Sequence, residues 1–236
     1  MTPEEPSPPE ADPDAAPASR GDRPRGGAGS QDEGFLRLAV QLTLELDVEE
    51  RPRCVMVTSP ATSRAAYLAT LAFAHSLSAE GARVLLVDAS FHGPDGLRKV
   101  VGGNPETGFL NVLDGAAERV KEFIVPTDDE GVSFLSSGMS SESALTLITE
   151  ERIKAFRELL ARDYDWVLLS CRPVIDDSIA LALPRLVDCV IIVATEGSTR
   201  IDRLDETKDA LDRAGARRVG MVLTRRRRWF RFGRRG

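Results

Sequence analysis

Residues 54–67 decide the fold, and they read CVMVTSPATSRAAY. The first four are apolar without interruption, which predicts a strand buried on both faces. Thr58-Ser59-Pro60 then predicts the turn that ends this strand. From Arg64 to Ser78 the chain is rich in Ala and Leu and predicts a helix, with Gly81 suited to its C-terminal end. A buried strand, a short turn and a helix form the first half of a β-α-β unit.

The same alternation continues along the chain. Apolar runs predict further strands, and helical spacing of apolar residues predicts further helices. The strands fall at 84–88, 132–135, 166–169, 187–193 and 219–223, and the helices at 34–46, 150–162 and 201–214. This pattern predicts a doubly wound, mostly parallel α/β sheet with helices on both faces. Such sheets bind ligands beyond the carboxyl ends of their strands.

Composition divides the chain into three parts. Residues 1–32 hold seven of the fourteen prolines and no aromatic residue, so we expect a disordered acidic tail there and an α/β domain over 33–224. The N-terminal segment lacks the pattern of a secretory signal, and no run of 18 apolar residues predicts a membrane span. Cys54, Cys171 and Cys189 have no metal-ligand spacing, which favours packing roles in a reducing cytosol.

The third part, residues 225–236, is basic and aromatic. Its seven arginines, against a net charge of −6 for the whole chain, leave −13 on residues 1–224. Arginines near an anionic bilayer contribute about 1 kcal/mol each, and aromatic rings insert at headgroup level. Nucleic acid is a less favoured partner of this segment. Two further alternatives are an acidic segment of a partner protein and a solvated C-terminal end that binds nothing. The candidate binding residues are Arg225, Arg226, Arg227, Arg228, Trp229, Phe230, Arg231, Phe232, Arg234 and Arg235.

Several short stretches carry a family resemblance. They include Val57-Thr58-Ser59, the run 84–88, Tyr164-Asp165 and Pro173-Val174, in order from about Glu33 to Leu223. In this order and spacing the chain resembles the bacterial tyrosine kinases of capsule and exopolysaccharide export and, more distantly, the ParA- and MinD-like ATPases. The resemblance implies a P-loop NTPase-like fold.

The phosphate loop of that family ends in Gly-Lys-Ser, where backbone N–H groups hold phosphate, the lysine reaches the outer phosphates and the serine binds Mg²⁺. By register, Ser63 and Ala65 stand at the glycine positions, Ala66 at the lysine and Tyr67 at the serine. Arg64 lies two residues before the family's lysine position. It either attracts an anion or is an ordinary exposed arginine. The degenerate phosphate turn therefore comprises Ser59, Thr62, Ser63, Arg64, Ala65, Ala66 and Tyr67.

The family's acidic positions are also altered. Asp88 is followed by Ser90 instead of a second acid, and Ser170 stands where the family has its magnesium-linked aspartate. We expect Asp88 to cap the next turn, and Asp176 and Asp177 to lie in a solvated loop. No catalytic residue and no metal ligand is assigned, and no cofactor is expected, with ATP and Mg²⁺ as the alternative.

The resemblance implies a non-catalytic regulatory or scaffolding relative of these kinases in exopolysaccharide or capsule biosynthesis. The expected partner is an inner-membrane polysaccharide chain-length regulator or a partner kinase. The expected location is the cytoplasm, with peripheral attachment to the inner membrane through the C-terminal tail. One alternative is an active ATP-binding tyrosine kinase or ATPase with an atypical loop. A second is a positioning adaptor of the ParA or MinD type.

Overall fold

The computed structural model describes residues 29–46, 51–91, 97–104, 106–138 and 144–225. Its centre is a sheet of seven strands: β1 (Arg53–Thr58), β2 (Val84–Ala89), β3 (Ile124–Pro126), β4 (Val132–Leu135), β5 (Trp166–Cys171), β6 (Cys189–Thr195) and β7 (Val219–Thr224). They lie in the order β3-β4-β2-β5-β1-β6-β7. All neighbours are parallel except the β3–β4 pair, which is antiparallel. The predicted doubly wound, mostly parallel sheet is confirmed.

Helices connect the strands and cover both faces. They are α1 (Gly29–Glu45), α2 (Ser63–Ala79), α3 (Arg98–Val101), α4 (Phe109–Leu113), α5 (Val120–Phe123), α6 (Ala144–Leu147), α7 (Glu150–Leu160), α8 (Ser178–Ala182) and α9 (Ile201–Arg213). The first helix begins five residues before its predicted start, inside the segment assigned to the N-terminal tail. No helix among these is both long and apolar enough to cross a bilayer.

Each buried strand supplies both core layers, because successive side chains point to opposite faces. On β1, Val55 and Val57 face the layer formed with α1 and α2, whereas Cys54 and Met56 face the layer formed with α7 and α9. This two-sided burial explains the uninterrupted apolar run from which the strand was predicted. All three cysteines are free thiols and buried, as their predicted packing role requires.

Parallel strand direction gives the sheet two distinct edges. The carboxyl ends of β1, β2, β5 and β6 meet at one edge, where the degenerate phosphate turn lies. At the opposite, amino edge, Asp165 accepts hydrogen bonds from Arg51 at 2.8 Å and from the Arg83 side chain at 3.1 Å and 3.3 Å.

Candidate functional site

The turn after β1 is short and closed by its own hydroxyl groups. Thr62 is the N-cap of α2, and its hydroxyl accepts the Ala65 N–H at 3.4 Å. Ser59 is buried, and its hydroxyl accepts the Ala61 N–H at 3.4 Å. Helical structure already begins at Ser63, a position that the family resemblance assigns to a phosphate-loop glycine. The N–H groups of Ala61 and Ala65, which such a loop would offer to phosphate, are therefore hydrogen-bonded within the turn.

Three of the next four residues lie in or pack against one core layer. Arg64 is exposed, as an ordinary surface arginine would be. Ala66, which the sequence resemblance assigns to the family's lysine position, is fully buried and belongs to the core layer shared with α1. Ala65 and Tyr67 are half-buried and pack against that same layer. The Ser63 side chain lies outside the described part of the chain.

The altered acidic positions come together at the carboxyl edge. Ser170 on β5 is the register partner of both Val57 on β1 and Asp88 on β2. Asp88 is buried, and its carboxylate accepts the Ser90 N–H at 3.0 Å and the Arg98 N–H at 3.4 Å. Burial raises the pKa of Asp88, and these backbone hydrogen bonds oppose the rise in part. The carboxylate caps the following turn and the start of α3.

Asp177 differs from its prediction. We expected it in a solvated loop with Asp176, but only Asp176 is exposed. Asp177 is buried as the N-cap of α8, where its carboxylate accepts the N–H groups of Ile179 at 2.9 Å and Ala180 at 3.1 Å. Arg172 lies 3.8 Å from the same carboxyl group. The missed signal is an aspartate directly before a short apolar helical run, the arrangement of an N-cap.

The carboxylates of Asp88 and Asp177 both have a structural role. Asp88 and Asp177 each accept two backbone N–H groups and thereby fix the local backbone. Within the described ranges, no group of three His, Cys, Asp or Glu side chains is placed to hold a metal ion. The arrangement of these carboxylates therefore serves to fix the local backbone.

The C-terminal tail is described only at its first residue. Arg225 is exposed, and its guanidinium lies 3.4 Å from a carboxylate oxygen of Glu196. The other tail candidates, Arg226 to Arg235, lie outside the described residues. Directly before the tail, β7 exposes Val219, Met221 and Leu223 on one face of the sheet.

Comparison with known proteins bears on the fold. No protein-family model matches the chain, and no curated protein matches it in sequence. The solved structure of the chimerical protein CapA2B2 is similar at 20% identity and TM-score 0.70, over 81% of this chain and 83% of that chain. The kinase domain of the Escherichia coli tyrosine kinase ETK is similar at 18% identity and TM-score 0.69, over 84% and 75%.

A more distant likeness is to a ParA family ATPase from Chlorobium tepidum, at 18% identity and TM-score 0.56, over 72% of each chain. Bacterial tyrosine kinase domains and ParA-like ATPases are thus among the structural neighbours, in agreement with the resemblance drawn from sequence. At these identities the likeness shows the fold, a P-loop NTPase-like α/β sheet.

Proposed function

We propose that this chain is a non-catalytic relative of the bacterial tyrosine kinases that regulates or scaffolds exopolysaccharide or capsule biosynthesis. The observation that carries the proposal is the environment of Ala66. This residue occupies the family's lysine position but is fully buried in the core layer shared with α1. It supplies no cation to a phosphate.

The neighbouring groups support the same conclusion. Phosphoryl transfer depends on cations and metal ions that neutralise charge developing on the phosphoryl oxygens. At this edge Thr62 caps α2, Asp88 caps the turn after β2, and Ser170 replaces a metal-linked acid with a buried hydroxyl. The framework of the fold is retained while the groups needed for the reaction are altered or engaged.

The tail provides a reason to place the chain at a membrane. Arg225 opens a run of arginines and aromatic residues, and it follows a strand on which Met221 and Leu223 are exposed. Exposed apolar side chains beside concentrated positive charge suit the headgroup region of an anionic bilayer. In this proposal the domain sits peripherally on the inner membrane and binds a chain-length regulator or a partner kinase.

Nucleotide binding is the direct test. Melting curves of the purified chain are recorded with 5 mM Mg·ATP and with Mg²⁺ alone. A site with a dissociation constant of about 50 μM would add about 2.7 kcal/mol of stability and raise Tm by roughly 5–11 °C. We expect no shift and no phosphate release. Turnover that is lost on Arg64→Ala would refute the proposal and favour an active enzyme with an atypical loop.

Vesicle co-sedimentation tests the membrane part separately. The full chain, a chain ending at Thr224 and the triple variant Trp229→Ser/Phe230→Ser/Phe232→Ser are mixed with vesicles containing phosphatidylglycerol. We expect the full chain to pellet, the truncated chain to stay in solution, and the triple variant to bind weakly and in a salt-sensitive way. Pelleting of the truncated chain would remove the tail from the proposal.

A further inference from the structure

Arg53, the first residue of β1, is a buried arginine without a carboxylate partner among the described residues. It is only 4% exposed, and its Nε atom is buried with no hydrogen-bond partner in the described part of the chain. Its guanidinium carbon lies 5.0 Å from the centre of the Trp166 ring. Stacking offsets only part of the cost of burying a charge. Burial, and after it the charge of Arg51, lower the pKa of Arg53.

A cavity of about 410 Å³ opens beside this arginine at the amino edge of the sheet. Leu77 and Trp166, both buried, form its apolar wall. Val40 and Leu44 of α1 line its rim, and Leu44 is 82% exposed. The volume is in the range of small-molecule sites, which are mostly apolar with a few fixed polar groups.

The charges around the cavity indicate what would fit. Arg51 and Arg83 both donate hydrogen bonds to Asp165, whereas Arg53 makes none to it and is stabilised only at longer range by the charges of Asp165 and Asp188. Arg51, Arg53, Asp165 and Glu80 line the cavity and balance in charge, and Arg83, which bonds Asp165 from outside the lining, adds one positive charge. A single carboxylate would neutralise it, whereas a phosphate dianion would reverse it. The planar guanidinium also matches the two oxygens of a carboxylate.

We propose that this cavity binds a carboxylate carried on an apolar group. The carboxylate can come from an acidic side chain beside an aliphatic residue in a partner protein, or from a free organic acid. The site lies at the opposite edge of the sheet from the degenerate phosphate turn, so it does not depend on the function proposed above.

Trp166 is a built-in reporter for the test. The chain has two tryptophans, and the full-length variant Trp229→Phe leaves only Trp166. Its fluorescence and its indole N–H resonance are followed during titration with sodium octanoate, and with 1-octanol as the uncharged counterpart. We expect a saturable change with octanoate in the millimolar range and at least tenfold weaker binding of octanol. An equal response to both compounds, or none to octanoate, would overturn the proposal.

Variants then assign the effect to the guanidinium. Arg53→Met, made in the Trp229→Phe background, keeps the apolar stem and should weaken octanoate binding at least tenfold. Its Tm should equal or exceed that of its parent because an unpaired buried charge has been removed. Arg64→Met, at the other edge of the sheet, is the matched control and should bind octanoate normally. A large drop in the Tm of Arg53→Met would make this arginine structural and overturn the assignment.

Two further experiments identify the source of the carboxylate. Acetyl-Leu-Glu-Leu-amide is compared with its Gln counterpart: selective binding of the Glu peptide supports a partner protein as the source, and binding of octanoate alone supports a free acid. Glu49 and Glu50 precede Arg53 in sequence and are changed together to Gln in a separate variant. Markedly tighter octanoate binding by that variant would mean that the chain's own acids fill the cavity, and the proposal would fail.

Discussion

Replacing Arg157 by methionine is expected to destabilise the fold by about 3 kcal/mol. Arg157 on α7 donates two hydrogen bonds to Asp188, each 3.0 Å long and each to a different carboxylate oxygen. The two side chains are 14% and 13% exposed. Asp188 also accepts the Cys54 N–H at 2.7 Å, so this ion pair joins α7 to the start of β1 and to the residue before β6.

The size of this loss depends on the environment of the Asp188 carboxylate once Arg157 has been removed. Removing one partner of a buried ion pair costs about 3–5 kcal/mol, because the remaining charge loses its compensation. Asp188 would keep the Cys54 N–H and slight contact with water, which reduces the cost, but the substitution also removes the 3.2 Å hydrogen bond from Arg157 to the Pro52 carbonyl oxygen. We therefore expect a loss of about 3 kcal/mol. Methionine preserves most of the apolar stem, so a cavity contributes little. Asp188→Asn should cost a similar amount, and the double variant should cost less than the sum by up to about 3 kcal/mol.

Urea unfolding at pH 7 measures all four proteins of this cycle. The matched control is Arg203→Met, because Arg203 also contacts both oxygens of an aspartate, Asp176, at 3.1 Å and 3.0 Å. Those side chains are 36% and 43% exposed, so we expect a cost below about 1 kcal/mol. If Arg157→Met lowers the free energy of unfolding by no more than Arg203→Met does, burial does not determine how much these ion pairs stabilise the fold. The reasoning would then fail.

Three further predictions concern stability. Ala66→Lys should cost at least about 2 kcal/mol in urea unfolding, because it places a charge in a filled core position, whereas Leu68→Lys on the exposed side of α2 should change stability by no more than about 0.5 kcal/mol. Hydrogen bonding to Arg83 lowers the pKa of Asp165, so its stabilising effect is present at pH 7 and is lost as pH falls through that lowered value. The stability gap between wild type and Asp165→Asn should therefore be full at pH 7 and shrink below roughly pH 4, and a gap that grows on acidification would contradict this sign. Gly108→Ala should lower the free energy of unfolding by about 2 kcal/mol or more, since the added Cβ would clash with a backbone carbonyl oxygen. An unchanged urea midpoint would contradict this and show that the backbone can move at that position.

The sheet could be predicted from sequence because its central strands are buried on both faces and appear as unbroken apolar runs. The strand β6 illustrates the limit of this signal. Its predicted range begins at Val187, which is buried, but Asp188 interrupts the apolar run and the strand itself begins at Cys189. Burial and strand pairing are different properties, and only burial is visible in composition. The three-residue edge strand β3 has too short a pattern to be recognised at all.

Short helices were missed for a related reason. Elements of four or five residues such as α4 and α8 have little stability of their own and form because tertiary contacts hold them. Asp177 was therefore assigned to a solvated loop, since the helix that it caps was not foreseen. The pairing of Asp88 with Ser170 depends on the strand order β2-β5-β1, which the sequence does not specify.

The two edges of the sheet differ in how their polar groups are satisfied, and this difference decides where binding is favourable. At the carboxyl edge, the Thr62 hydroxyl and the Asp88 and Asp177 carboxylates already accept backbone N–H groups. Each of these caps contributes about 1 kcal/mol, and none of the three groups is a cation that would attract an anion. At the amino edge, an anion reaching Arg53 would displace no hydrogen bond among the described residues and would compensate a buried charge. Open α/β sheets usually bind at the carboxyl edge, but the anion site that we propose for this chain lies at the opposite one.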